Sequence, residues 1–458
     1  MHAVTNNKIP TSNKTPTSST LLTSVATALL LLLAGCTETA KIPASSGFGP
    51  KPDLSHMNRK IIATINVAKA VGWPENTMPK VANGNYVVAF ANHLEHPRWL
   101  YELPNGDILV AETNHIEKSE SFSIKSWIAG KLMAKGGAAV PSPNKIILLR
   151  DTNGDGIADE QHVFLKDLNS PFGMSLIGNS FYVANADKIV KFSYTTGQTE
   201  ITSAPIKVID LPSGRNHHWT KNIIASPDGS KMYVSIGSNS NIAEHSMDDE
   251  KDRAAIWEVD LKTGSHRIFA SGLRNPNGMV WEPQSNALWT VVNERDELGS
   301  DLVPDYMTSV KDGGFYGWPY SYYGQHVDKR VQPQNPVLVA KAIVPDYALG
   351  AHTASLGLAT AKGNTLSPQF TNGMFIGQHG SWNRKPFGGY KVIFVPFTNG
   401  EPNGEPIDVL TNFINNKGEA QGRPVGVLVN KRGALLVADD VGNTIWKVSA
   451  TKPLKVIK

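Results

Sequence analysis

Along most of the chain, short apolar runs alternate with turn residues, and long helical periodicities are few. A loose unit recurs. It has a Gly- or Pro-containing entry, an apolar strand, a polar turn, and a second apolar strand ending in Asn, Asp, Glu or Gly. Pro97–Glu112 shows it first, followed by Pro171–Asn185, Asn222–Gly237, Asn275–Asn293, Leu356–Gly380 and Arg423–Asp440. Such an antiparallel piece cannot bury both faces alone. Packing the copies radially buries them against one another and leaves only short edges. Six copies therefore predict an all-β fold, a six-bladed β-propeller, with a β-sandwich as the alternative. Tyr86–Ala91, a β-type run before the first unit, is placed to complete the last blade and close the ring. Polar residues at the ends of inner strands would then converge on a central funnel.

Two stretches break the pattern. Within 116–135, Ile124, Trp127, Ile128, Leu132 and Met133 recur at helical spacing, which predicts a short amphipathic helix inserted in the first blade. Residues 329–342 read as a Pro/Gln/Val-rich loop.

The N-terminal end carries a different pattern. Lys8 and Lys14 precede an uncharged apolar stretch from Leu21 to Ala34, too short for a comfortable membrane span. It closes on Leu33-Ala34-Gly35-Cys36, which resembles the lipobox of bacterial lipoproteins. The resemblance implies cleavage after residue 35 and a lipid on Cys36. Thr37, which is not Asp, favours the outer membrane. Residues 36–58, rich in Pro, Ser, Gly and Lys, read as a flexible tether, and 59–458 as the propeller domain. Cys36 is the sole cysteine, so no internal disulfide is available and stability must come from the core. A net charge of +4 without dense Lys/Arg blocks argues against nucleic acid as a partner.

Several polar clusters could carry chemistry. Asp151, Asn153, Asp155 and Asp159 stand at positions 1, 3, 5 and 9 of a loop with Gly156 at 6, the spacing of a calcium loop. The twelfth position is His162 rather than Glu, and a tight turn rich in Asp, Asn and Gly is the alternative. Gly214–Asn222 is the densest polar cluster. His217 and His218 point to opposite sides of an extended chain, so one of them should face the funnel, where a histidine can accept a proton. Lys221 lies beside them. Arg274 and Asn275 open the fourth unit. The arginine fork suits a planar anion, or ties one blade to the next. Glu294, Asp296, Glu297 and Asp301 follow that unit and could hold a hard cation or form a solvated loop. Gly313–Tyr320 is a stiff aromatic loop that could wall a pocket. Arg384, Lys391 and Arg423 occupy comparable places in later units.

The pairing of Leu273-Arg-Asn-Pro-Asn-Gly278 with Gly313-Gly-Phe-Tyr-Gly-Trp-Pro319 resembles the PQQ-dependent glucose/sorbosone dehydrogenases, especially the L-sorbosone dehydrogenase branch. Asp151–Asp159, Asn169–Met174, Arg215–Asn222, Asn293–Tyr306 and Arg423–Trp446 extend the likeness over most of the chain. The resemblance implies a pyrroloquinoline quinone (PQQ) in the funnel with calcium on its oxygens. It implies that His218 is the general base and that Arg274 stabilises the oxyanion of the reduced quinone. Asn275 accompanies Arg274, Arg423 and Arg384 or Lys391 match the cations on the cofactor's carboxylates, and Asp296 and Glu297 match the segment whose backbone carbonyls bind the calcium; Lys221 and Asp301, in the neighbouring clusters, are further cofactor and metal candidates. His217 stands where the glucose enzymes carry an acid, a departure that bears on sugar preference. The expected reaction is oxidation of a sugar, or of a sugar-derived aldehyde or alcohol, with electrons passed to a quinone or soluble carrier. Two other readings stand beside it. A metal-dependent lactonase needs carboxylates converging on the funnel axis. A non-catalytic lipoprotein binding glycan or protein needs a funnel that is plugged or lacks room for a tricyclic ligand.

Overall fold

The structure, a computed structural model, describes Met1 and residues 38–54, 64–115, 130–132 and 134–450. Cys36 and most of the stretch expected to be an inserted helix lie outside the described residues. Positions 130–132 and 134–135 are helical.

Six antiparallel sheets form the six blades of a β-propeller. From the axis outward, blade 1 uses Pro97–Glu102, Ile108–Glu112, Lys145–Arg150 and Glu160–Leu165, and blade 2 uses Met174–Ile177, Ser180–Ala184, Lys188–Ser193 and Ile206–Asp210. Blade 3 uses Lys221–Ala225, Lys231–Ile236, Ala255–Asp260 and His266–Ser271. Blade 4 uses Pro276–Trp281, Leu288–Val292, Pro304–Ser309 and Tyr347–Ala351. Blade 5 uses Ser355–Thr360, Gly373–Gln378, Lys391–Thr398 and Ile407–Thr411. Blade 6 takes Pro424–Val429, Leu435–Asp439 and Thr444–Ser449 from the C-terminal end and its outer strand, Tyr86–Ala91, from the N-terminal end. That last pairing runs antiparallel from Tyr86 opposite Ser449 to Ala91 opposite Ile445, and closes the ring as expected.

The strands read as unbroken apolar runs because both faces of each blade are buried. In Ile108–Glu112, Leu109 and Ala111 face blade 2, while Ile108 and Val110 face blade 6. In Leu435–Asp439, Leu435 and Val437 face blade 5, while Leu436 and Ala438 face blade 1. The period of two thus feeds two cores at once. Six apolar clusters result, one wedged into each junction between successive blades. Near the axis the inner strands come too close for side chains. A Cβ on Gly357 would lie 2.2 Å from the Val425 carbonyl oxygen of the next blade.

Two regions differ from expectation. Residues 329–342 contain the helix Pro336–Lys341, started by the Asn335 side chain accepting from Leu338 N, with proline in its first turn. Residues 38–54, within the expected tether, lie against the ring. Phe48–Gly49 adds a strand to the outer edge of blade 4, and Glu38 is buried.

Candidate active site

Antiparallel connectivity decides which loops meet. In every blade the inner strand starts, and the second strand ends, on one face. His96, His218, Arg274, Asn275, His352 and Arg423 precede or open inner strands, while Ser238, Asp296, His379, Arg384 and Asp440 follow second strands or close them. All therefore gather on this funnel face. The Asp151–Asp159 turn joins the third and fourth strands of blade 1 and lies on the opposite face.

His218 sits in a dense surround and is partly exposed. Its Nδ1 lies 2.9 Å from the Ser238 carbonyl and 3.0 Å from Ser238 Oγ. That hydroxyl spends its own proton on the Ser240 carbonyl at 2.7 Å. Both partners of Nδ1 are therefore acceptors, so Nδ1 carries the proton and Nε2 keeps its lone pair. Burial, then the positive charge of Arg274, hold the His218 pKa well below the ordinary 6.5. The ring is a neutral base with a fixed tautomer. His217 is exposed and meets His218 edge-on at 4.7 Å. Gly237 makes the approach of His218 to Asn275 possible, since a Cβ there would lie 2.5 Å from both Asn275 Oδ1 and His218 Cβ. Asn275 Oδ1 is buried without a hydrogen-bond partner among the described residues.

Arg274 is buried and fully engaged. Its donors reach the carbonyls of Asn241, Asn293 and Glu294, Asn241 Oδ1, and Asp296 Oδ2 at 3.0 Å. Burial would raise the Asp296 carboxyl, but Arg274, His352 and Asn383 hold it at about 2. Asn383 donates to Asp296 Oδ1 at 2.8 Å, and His352 Nδ1 lies 3.5 Å away. Asn241 is the hub, and Trp318 from the aromatic loop donates to its carbonyl at 2.9 Å. The aromatic loop therefore braces this network.

The structure does not bring the expected metal residues together. Asp296 pairs with Arg274, Glu297 with Arg330, and Asp301 faces Arg384 at 3.9 Å. The Asp296 and Glu297 carbonyls accept from Arg295 and Arg330. In the Asp151–Asp159 turn, Asp151, Asn153, Asp155 and Asp159 spend their oxygens on amides of the turn itself, and Arg432 caps Asp151. Among the described residues no group of three His, Cys, Asp or Glu side chains is arranged to hold a metal ion.

The expected cofactor contacts divide. Lys221 is buried beneath the His218 loop, where its Nζ donates to Asn216 Oδ1 and to the carbonyls of His218 and Trp219. Burial, then Arg253, push its pKa well down. It shapes the loop rather than the funnel. Lys391 turns outward to Asp408 at 2.7 Å. Arg423 binds the His379 and Gly380 carbonyls and lies over the Tyr390 ring, tying blade 6 to blade 5. Arg384 is buried yet weakly held, with contacts of 3.4 Å to the Pro386 carbonyl and 3.9 Å to Asp301. Of this set it is the cation best able to take a carboxylate.

A second cluster on the same face is absent from the sequence reading. Asp440 receives Arg98 at 2.6 Å and His379 at 2.8 Å, with His96 at 3.7 Å. Burial opposes ionisation of Asp440, but His379, His96 and Arg98 hold its pKa well below the ordinary range. Arg98 also lies over the Trp219 ring at 5.9 Å, which joins this cluster to the His218 loop. The repeat itself carried the signal. His96 and Arg98 stand at the entry of the first unit, and His379 and Asp440 near the ends of the fifth and sixth.

Comparison with known proteins gives a family and several relatives. Residues 144–311 and 328–451 match the family model described as TrAA12-like. A pyrroloquinoline quinone-dependent pyranose dehydrogenase of Coprinopsis cinerea is 20% identical over 395 residues, covering 72% of this chain and 54% of that protein. The chain thus spans about half the length of that relative. The aldose sugar dehydrogenase YliI of Escherichia coli is 31% identical over 111 residues, 24% of this chain and 28% of that one. The solved PQQ domain of the Coprinopsis pyranose dehydrogenase superposes with a TM-score of 0.66 at 20% identity, over 84% of this chain and all of that one, a likeness of fold.

Proposed function

The chain belongs to the TrAA12-like family, and we propose that it is a PQQ-dependent dehydrogenase oxidising a sugar or sugar-derived alcohol or aldehyde, with a sorbosone- or aldose-like substrate. The observation that carries the reading is the His218–Ser238 pair, which leaves a neutral imidazole whose Nε2 has no partner among the described residues, beside a buried arginine. The relatives named for PQQ-dependent pyranose and aldose oxidation support it. The residues fit such a cofactor. Arg384 is weakly engaged, and Asn275 Oδ1, Asn383 Oδ1 and Arg98 Nε are buried on this face without partners among the described residues. Arg384 would hold a cofactor carboxylate, with Asn275 and Asn383 beside the ring system. When bound, PQQ supplies a two-electron oxidant able to accept hydride.

The chain's own residues supply the rest. Nε2 of His218 accepts the substrate hydroxyl proton as the C–H bond gives up its hydride, so the alcohol carbon becomes a carbonyl. Ser238 holds the imidazole in the tautomer that can do this. Arg274, locked by Asn241 and Asp296 with its donors spent on the protein, would act on developing negative charge through its own charge alone. Protonated His218 lies beside Arg274, a repulsion that favours prompt release of the proton. Calcium has no carboxylate cluster among the described residues and enters only as a variable in reconstitution.

We further propose export and a lipid anchor at Cys36. The test of the activity is equilibrium titration of the purified protein with PQQ, with and without calcium, followed by dye-linked oxidation of aldoses and sorbosone. Saturable PQQ binding with sugar-dependent dye reduction is expected. No binding at micromolar PQQ would exclude the reading.

A further inference from the structure

We infer that the funnel opens toward the membrane that carries the protein, an orientation set by how the chain leaves its lipid anchor. The inference rests on the proposal that Cys36 is acylated. Glu38, two residues further on, is buried. Its carbonyl accepts from Thr64 Oγ1 at 3.2 Å and Ser300 Oγ at 3.3 Å, and its carboxylate accepts from Ser300 N at 3.3 Å. Ala40 N donates to the Lys385 carbonyl at 2.7 Å, and Lys41 N to Asp301 Oδ2 at 2.8 Å. The docking partners Ser300, Asp301 and Lys385 belong to the loops that follow the second strands of blades 4 and 5. Those loops also carry Asp296 and Arg384, so the chain is fastened to the rim of the funnel.

Two residues of extended chain span at most ~7 Å. A lipid on Cys36 therefore holds this rim against the headgroups, with no slack for the domain to turn over. The opposite face, bearing the Asp151–Asp159 turn, stands off by the length of a blade strand, roughly 20 Å. The rim is also dressed for an interface. Trp382, with 38% of its surface exposed, and the exposed Lys385 flank the buried Asn383 and Arg384. An amphipathic ring and a flexible cation are side chains suited to the headgroup layer. Substrate and electron acceptor would then meet the funnel in the space between ring and bilayer.

Because Cys36 is the sole cysteine and would be acylated, a single introduced cysteine can be labelled uniquely. Lys385→Cys marks the rim, and Ile157→Cys, exposed in the Asp151–Asp159 turn, marks the far face. The full chain, matured in a Gram-negative host, is reconstituted into phosphatidylethanolamine/phosphatidylglycerol vesicles. An environment-sensitive fluorophore at each site is challenged with headgroup-labelled quencher lipid. Several-fold stronger quenching at 385 than at 157 is expected. Inserting about ten Gly/Ser residues after Thr37 should erase the difference, because the chain then has slack. Mass spectrometry of the N-terminal peptide separates the two possible failures. An acylated Cys36 with equal or reversed quenching overturns the orientation alone, whereas an unmodified Cys36 overturns the anchor and the orientation with it.

Discussion

Gly237→Ala isolates the geometry on which the proposed chemistry depends. Gly237 does not occupy the left-handed region, so alanine meets no backbone strain there. The added methyl would lie 2.5 Å from His218 Cβ and 2.5 Å from Asn275 Oδ1. Ordinary contact begins near 3.4 Å, so one or both residues must retreat by about 1 Å. Crowding of this kind costs ~1–3 kcal/mol of stability, which a ring with six junction cores should survive folded. Displacement of a catalytic base by about 1 Å costs on the order of 10²-fold in rate. The assay is dye-linked turnover of the PQQ-loaded variant, alongside its PQQ affinity and thermal unfolding curve. The expected result is a folded protein that melts a few degrees lower and turns over about 100-fold more slowly. A folded variant with turnover within about twofold of the parent would refute the placement of His218 as the base.

Further outcomes follow from the same contacts. The His218 pKa lies well below 6.5, so the base form prevails at neutral pH and kcat/KM should fall only as pH drops below 6.5; an acidic limb centred at or above 7 would contradict this. Asp296→Ala strips the buried Arg274 of its counter-charge and should cost ~3–5 kcal/mol in urea unfolding. Trp73→Phe removes a 2.7 Å bond to the buried Asp439 carboxyl, whose pKa burial raises to about 6, and should cost ~1–3 kcal/mol in urea unfolding. Deleting Tyr86–Ala91 leaves Thr444–Ser449 as an open edge, and the product should aggregate on size-exclusion chromatography.

The fold was legible because each strand obeys a local rule twice over. Runs such as Ile108–Ala111 and Leu435–Ala438 are apolar at every position, which local pattern alone reads as fully buried strands. The closure by Tyr86–Ala91 was legible because it supplies the strand that the last unit lacks. Side-chain partners were not legible in the same way. Glu294, Asp296, Glu297 and Asp301 are close in sequence, yet Asp296, Glu297 and Asp301 pair with Arg274, Arg330 and Arg384, cations spread over 110 positions. Lys221 and Lys391 share the charge of Arg384 but not its direction, because one is folded under the His218 loop and the other turns to Asp408. The Asp440 cluster joins residues from opposite ends of the chain, so only ring closure brings His96 and Arg98 to it.

Anaerobic mixing of the PQQ-loaded protein with excess aldose or sorbosone, followed by the absorbance of bound PQQ without any dye, isolates the transfer of electrons from sugar to cofactor. Rapid reduction is expected in the parent protein. In His218→Ala, which should still bind PQQ, reduction should be slower by ~10²-fold or more. Bound PQQ that stays oxidised in the parent under every sugar, or is reduced equally fast in His218→Ala, would contradict the proposed chemistry.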